Sequence, residues 1–93
     1  MKTPVFTLDK QINLTNFMEV CQAGEYAMIA HAQHLQIDCS LVKKSNTVLF
    51  LLFLRWVRLA KAKGLTLELC GASQNIRAMS EVLGLDDLLP FVE

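Results

Sequence analysis

The chain has 93 residues, of which 53% are apolar, and its nine lysines and arginines balance nine aspartates and glutamates. A chain this short hides only about 60 to 65% of the surface that its unfolded form exposes, so it can hold one hydrophobic core but not two. The apolar fraction excludes a disordered segment, and the zero net charge argues against a general nucleic-acid binder, whose affinity comes from a basic excess.

The sequence predicts a single domain over residues 1–93, because it contains no internal repeat, low-complexity tract or Pro/Ser-rich linker. Its longest apolar run, residues 48–54, is far shorter than the roughly 20 residues that cross a membrane. No secretion signal is recognised at the start of the sequence. The cysteines are odd in number and widely spaced, a pattern that is typical of thiols in a reducing compartment; they are Cys21, Cys39 and Cys70. We therefore expect a soluble cytoplasmic protein that does not itself insert into a membrane.

The first half of the chain predicts a strand, a helix and a second strand. Residues 5–8 alternate weakly in polarity, which indicates a short strand or hairpin at the N-terminal edge. Apolar residues at helical spacing predict a helix over about residues 14–28, capped by Asn13 or Thr15. Residues 35–39 alternate again and predict a strand.

A second helix is predicted over Thr47–Lys63, a segment without Gly or Pro. Lys61 and Lys63 lie in its last turn, where they suit the helix dipole, and Gly64 follows as the residue that ends it. Residues 65–70 then alternate perfectly and predict a third strand.

A third helix is predicted after Ser73, which can cap it, and ends at Gly84. A final short turn or helix over residues 85–89 stops at Pro90. The alternation of strands and helices predicts an α/β fold with the sheet covered by helices. The core-facing stripe predicted for the third helix is Ile76, Met79, Ser80 and Leu83.

The second helix has two contrasting sides when its residues are placed about 100° apart. The predicted core side consists of Leu49, Leu52, Phe53, Trp56, Leu59 and Ala60. The opposite side consists of Thr47, Leu51, Leu54, Arg55, Arg58 and Ala62. Isolated exposed leucines are normal and need no function. Alternatively, this side is a docking patch in which Leu51 and Leu54 supply apolar contact, Arg55 and Arg58 supply orientation, and Thr47 lies at the rim.

Charge is distributed unevenly along the chain. Residues 43–63 include six basic residues and no acidic one, whereas Glu81, Asp86, Asp87 and Glu93 gather near the C-terminus. An acidic or mixed protein surface is one partner that fits the basic segment; a solvated face without a partner is the other interpretation.

Several short motifs in this order resemble the STAS domain family. They are I-D-C-S at residues 37–40, S-N-T at 45–47, L-A-K-A-K-G-L-T-L at 59–67, E-V-L-G-L at 81–85 and L-L-P at 88–90. The resemblance covers the chain from about Ile37 to Pro90. The closest likeness is to the STAS subunit of the Mla phospholipid-transport ABC complex of Gram-negative bacteria.

The resemblance implies a small mixed β-sheet flanked by helices, no enzymatic activity, no cofactor and action through protein contact. Asp38 matches the acidic residue of the family's strand motif, Asn46 the signature aspartate, and Thr47 the signature hydroxyl that is the phosphorylation switch in anti-sigma factor antagonists. The sequence departs from the pattern at Asn46, and at Val48 and Leu49, where a small residue and glycine are usual.

The resemblance leads to a functional hypothesis: a non-catalytic accessory subunit that binds and stabilises the ATPase of an ABC transporter complex moving phospholipid for outer-membrane lipid asymmetry. The complex would include a permease and a substrate-binding lipid carrier, and would hold the chain peripherally at the inner membrane. The alternative is a switch of the anti-sigma antagonist type, controlled by phosphorylation of Thr47. The expected partner-binding residues are Asn46, Thr47, Leu51, Leu54, Arg55 and Arg58.

Other candidate sites have simpler interpretations. As the first residue of a helix, Thr47 can serve as an N-cap that accepts a hydrogen bond from an N–H group two or three residues further on. His31 and His34 have no third ligand type beside them, so we predict a surface or loop pair and no metal site. Cys39 precedes a polar loop, and a small enzyme using this thiol is a third hypothesis; no pattern of an activating partner accompanies it, which favours a buried thiol.

Overall fold

The computed structural model describes residues 3–31 and 33–92. Within them the chain alternates between strands and helices, which confirms the predicted α/β class. The elements are β1 (Val5–Thr7), α1 (Phe17–Ala30), β2 (His34–Asp38), α2 (Thr47–Lys63), β3 (Thr66–Cys70), α3 (Gln74–Val82) and β4 (Phe91–Val92).

The four strands form one sheet in the order β1-β2-β3-β4, and all three pairings are parallel. The expectation of a mixed sheet is therefore wrong for the described residues. Of the two alternatives for the N-terminal edge, the short strand is confirmed as β1, and the described residues form no hairpin there. The physical reason is that a helix lies between each strand and the next, and a helical crossover returns the chain to the starting end of the sheet.

The sheet has one covered face and one open face, so the expectation of a sheet covered by helices holds for a single face. Crossovers between parallel strands are right-handed in nearly all proteins, and crossovers that all step in one direction across the sheet put their helices on one side of it. The side chains that are buried beneath the helices are Leu35, Ile37, Leu67 and Leu69. On the other face Glu68 Oε1 lies 2.8 Å from His34 Nε2 and accepts a hydrogen bond from Gln36 Nε2 at 3.1 Å.

Helix α2 spans the predicted residues and forms the centre of the core. Leu49, Leu52, Phe53, Trp56 and Ala60 are buried as predicted, and Leu59 is half-buried against them. Sequence reasoning missed Phe50, which is 2% exposed and packs edge-on against Phe53 with ring centroids 5.9 Å apart. Gly64 ends the helix with a φ of 68°, a left-handed conformation that suits glycine.

Helix α1 begins later than predicted, at Phe17 instead of residue 14. Asn13 and Thr15 are not its cap, because the Asn13 side chain accepts hydrogen bonds from the N–H groups of Thr15 and Asn16 and forms a turn before the helix. The Asn16 side chain accepts from the Asn13 N–H and leaves the helix without a side-chain cap.

The last third follows its prediction only in part. Ser73 caps α3 by accepting a hydrogen bond from the N–H of Ile76 at 3.2 Å. Leu83 is 43% exposed and does not belong to the core stripe, because α3 ends one residue before it. After a turn at residues 86–88 the chain adds strand β4, which was not predicted, beside β3.

Candidate partner-binding surface

The predicted site residues begin where the loop after β2 leads into α2. Asn46, not Thr47, is the N-cap: its Oδ1 accepts from the Leu49 N–H at 2.8 Å. Its Nδ2 also donates to the Ile12 carbonyl at 2.8 Å. The Asn46 side chain therefore joins the start of α2 to the segment before α1 and is occupied within the chain. An aspartate, the signature residue of the resembled family, has no N–H with which to make the second bond.

Thr47 is the first residue of α2, and its side chain is exposed. Within residues 3–31 and 33–92 its hydroxyl makes no hydrogen bond, so the N-cap role predicted for it is wrong. The loop that leads to it is held by two bonds between Gln11 and the backbone of Lys44, of 2.7 and 3.3 Å. On the other side Ser45 Oγ donates to Asn75 Oδ1 at 3.0 Å. Thr47 is thus presented to solvent from a fixed backbone.

Leu51 and Leu54 differ in exposure, although both were predicted on the outer side of α2. Leu51 is 52% exposed, in agreement with the prediction. Leu54 is half-buried and packs against the core, and it lines a surface cavity together with Leu88. The outer face of α2 therefore carries one exposed leucine, Leu51, and one half-buried leucine, Leu54, at its edge.

Arg55 and Arg58 also differ. Arg55 Nε donates to Glu25 Oε2 on α1 at 3.2 Å, and Cys21 Sγ donates to the same oxygen at 3.0 Å. These donors hold the pKa of the Glu25 carboxyl below its ordinary value, with the Cys21 hydrogen bond as the largest cause. Arg58 is exposed and forms no ion pair within the described ranges. Of the two arginines expected to orient a partner, Arg58 remains available, whereas Arg55 is engaged in joining α2 to α1.

The α1–α2 contact below this ion pair is very close. Trp56 is fully buried, and its indole N–H donates to the Cys21 carbonyl at 3.1 Å. A Cβ placed on Gly24 would lie 2.3 Å from Trp56 Cζ2, so only glycine fits there. Sequence reasoning missed Gly24 and Glu25, because the residues they meet are about thirty positions away and no local pattern identifies them.

The three cysteines are poorly suited to nucleophilic catalysis. Cys39 is fully buried, and burial, with smaller contributions from nearby Cys70 and Asp38, raises its pKa to about 12. Burial and the Glu25 hydrogen bond raise the pKa of Cys21 to about 11, and burial raises that of Cys70. A thiol with a raised pKa is largely protonated at neutral pH, and the thiolate is the reactive form.

The two histidines are accessible at the surface, as one of the two predicted alternatives has it, but they are not a loop pair. His31 follows α1, whereas His34 lies in β2 and contacts Glu68 across the open face of the sheet. In the part of the chain that the structure describes, no cluster of three metal-ligating side chains is found. No helix among these residues has the length and apolar character needed to span a bilayer.

Comparison with known proteins gives a family and a fold. A family model described as "Mlab, STAS domain" matches residues 2–90. The crystal structure of a candidate anti-sigma factor antagonist from Thermotoga maritima superposes with a TM-score of 0.78 at 13% identity, covering 96% of this chain and 79% of that one. An NMR structure of the same protein, TM1081, superposes with a TM-score of 0.77 at 11% identity, covering 96% of this chain and 72% of that one. No curated protein sequence matches the chain.

Proposed function

The chain belongs to the STAS domain family, and on this basis we propose that it acts by binding another protein and not by catalysing a reaction. The partner we propose is the ATPase subunit of an ABC transporter complex that moves phospholipid and maintains outer-membrane lipid asymmetry. This choice of partner comes from the resemblance of residues 37–90 to the STAS subunit of the Mla complex; the matching family model is described as "Mlab, STAS domain" and names no partner. In this proposal the complex also contains a permease and a lipid-carrier subunit, and it holds the chain at the cytoplasmic side of the inner membrane.

The observation that carries the proposal is the exposed apolar centre on the outer face of α2. Leu51 is 52% exposed, while Leu52 and Trp56 on the reverse side are fully buried and hold the helix in place. Thr47 and Arg58 flank Leu51 and are also exposed. A large apolar side chain surrounded by polar and basic groups on a rigid helix is typical of the centre of a protein interface.

The proposed mechanism is stabilisation of one state of the ATPase. A non-catalytic subunit shifts an equilibrium only by binding one form more tightly than the others. Because Asn46, Gln11 and the α1–α2 contact hold this surface in one geometry, binding costs little reorganisation of the chain. The chain would therefore favour the assembled, active ATPase.

Co-purification of the ATPase with matched variants tests the proposal. Leu51→Asp and Thr47→Arg should lose the ATPase, because each places charge or bulk in the contact. Val82→Asp is the control, since Val82 is 80% exposed and lies on a different helix, α3. Thermal unfolding of each variant establishes that it is folded. Recovery of the ATPase at wild-type levels with both folded face variants would contradict the proposal.

Regulation by phosphorylation of Thr47 is a second candidate function. It is favoured by the exposed hydroxyl at the start of α2, where the helix dipole and free N–H groups stabilise a phosphate. Intact-mass measurement after incubation with cell extract and ATP tests it: an added phosphate that is absent from Thr47→Ala supports the switch. An unmodified wild type under all conditions counts against it.

A further inference from the structure

A groove runs along the flank of α2, between the helix and the turn that precedes β4. Two adjoining cavities of about 260 Å³ each form it, and they share Val57, Lys61 and Leu88. We call this the flank groove; its remaining wall residues include Leu54, Arg58, Leu65 and Pro90. No pattern in the sequence indicated it, because its two walls are separated by some thirty residues.

The floor of the flank groove is apolar, and its outer wall is an exposed leucine. Ala60, Leu65 and Leu67 are buried beneath it, and Val57 is half-buried at its side. Leu88, in contrast, is 56% exposed. The Leu88 side chain and the apolar floor beside it are thus both in contact with water, and one partner segment would cover the two together.

The wall that carries Leu88 is preformed. The N–H groups of Leu88 and Leu89 both donate to the Leu85 carbonyl, at 2.9 and 3.0 Å. The Pro90 carbonyl accepts from the Leu69 N–H of β3 at 2.9 Å, which attaches the end of the turn to the sheet. The groove therefore does not need to be assembled when a partner arrives, and this reduces the entropic cost of binding.

The rim contributed by α2 is basic. Arg58 and Lys61 are exposed and form no ion pair within residues 3–31 and 33–92. The nearby carboxylates of Asp86 and Asp87 are exposed but line neither cavity. An occupant of the groove consequently meets apolar side chains at its centre and positive charge along α2, so carboxylates on that edge would be complementary.

The spacing along α2 indicates the shape of the occupant. Leu54, Val57 and Lys61 are separated by three and then four positions, which places them on one ridge of the helix that faces the groove. Helices pack by fitting such ridges into the grooves of another helix, and the lysine stem adds apolar surface while its charge stays at the rim.

We propose that the flank groove binds an amphipathic helix of the ATPase, with an apolar side chain between Val57 and Leu88 and carboxylates facing Arg58 and Lys61. This inference rests on the proposed function for the identity of the partner. It adds a second contact region, next to the outer face of α2, and it specifies the chemistry of the partner segment as apolar with an acidic edge.

Affinity measurements between the purified chain and the purified ATPase test the proposal with matched pairs of variants. Lys61→Glu should weaken binding about tenfold or more, whereas Lys63→Glu, on the same turn but outside the groove, should leave it unchanged. Leu88→Asp should weaken binding similarly, with Val82→Asp as its control. The difference between Lys61→Glu and wild type should shrink in high salt, because exposed charge pairs are screened.

The outcomes separate this inference from the proposed function. If Leu51→Asp weakens binding while Lys61→Glu and Leu88→Asp bind like wild type, the groove is not a contact and the proposed function stands. If the wild-type chain does not bind the ATPase, both fail. Vesicles of anionic phospholipid are a further probe: binding to them that is lost in Lys61→Glu, without any effect on the ATPase, would show a lipid occupant and overturn the inference.

Discussion

The close approach of α1 and α2 can be tested by adding a single methyl group, with Gly24→Ala. The added Cβ would lie 2.3, 2.4 and 2.7 Å from three atoms of the Trp56 indole, whereas carbon atoms in contact are normally about 3.5 to 4.0 Å apart. Either the indole or the helix must therefore move by about 1 Å. The indole is held by its bond to the Cys21 carbonyl and by its edge-on contact with Phe6, so displacing it disturbs both interactions.

Two opposing contributions determine the size of the effect. Overpacking a core costs about 1 to 3 kcal/mol, and the immobility of Trp56 indicates the upper half of this range. Replacing a helical glycine by alanine contributes about 0.5 to 1 kcal/mol in the favourable direction. We expect a net loss of about 1 to 2.5 kcal/mol in the free energy of unfolding, equivalent to a fall in Tm of about 4 to 20 °C for a domain of this size.

Denaturant unfolding followed by circular dichroism measures this loss, and fluorescence of the single tryptophan reports on the same site. The matched background is Trp56→Phe, which removes the indole atoms that the new methyl group would meet. In that background Gly24→Ala should cost much less, or stabilise by up to about 1 kcal/mol through helix propensity alone. A stabilising effect of Gly24→Ala in the wild-type background would refute the close packing.

Three further predictions concern hydrogen bonds and titratable groups. Asn46→Asp retains the N-cap hydrogen bond but loses the bond to the Ile12 carbonyl, so the free energy of unfolding should fall by about 1 to 3 kcal/mol. A chemical denaturation midpoint equal to that of the wild type would argue against this role of Asn46. The pKa values of Glu25 and Glu68 lie below the ordinary 4.5, so their contribution to stability is present above pH 4.5 and is lost as the pH falls through the lowered values. Glu25→Gln should therefore make unfolding less dependent on pH in acid, and an unchanged profile would exclude this linkage. Cys39 in the folded protein should react with iodoacetamide far more slowly than after unfolding, and rapid labelling would revive the enzyme hypothesis.

The structure also explains why the predicted site was only partly correct. Periodicity identifies which side of a helix is buried, and it placed Leu51 in solvent and Trp56 in the core. It treats a helix as if it packed against one flat surface. Phe50 lies between the two predicted sides and Leu54 at the edge of the outer side, and their burial depends on which neighbouring elements reach the flanks of α2.

The sequence by itself determined the class of fold, the extent of α2 with its end at Gly64, and the cap at Ser73, because these depend on residues a few positions apart. The tertiary structure decided the parallel pairing of β1 with β2 and of β4 with β3, the ion pair between Arg55 and Glu25, and the hydrogen bond from the Asn46 side chain to the Ile12 carbonyl. These contacts join residues some twenty to thirty-five positions apart. Which distant residues meet depends on strand register and helix crossing, and these are set by the packing of the whole core rather than by any local pattern.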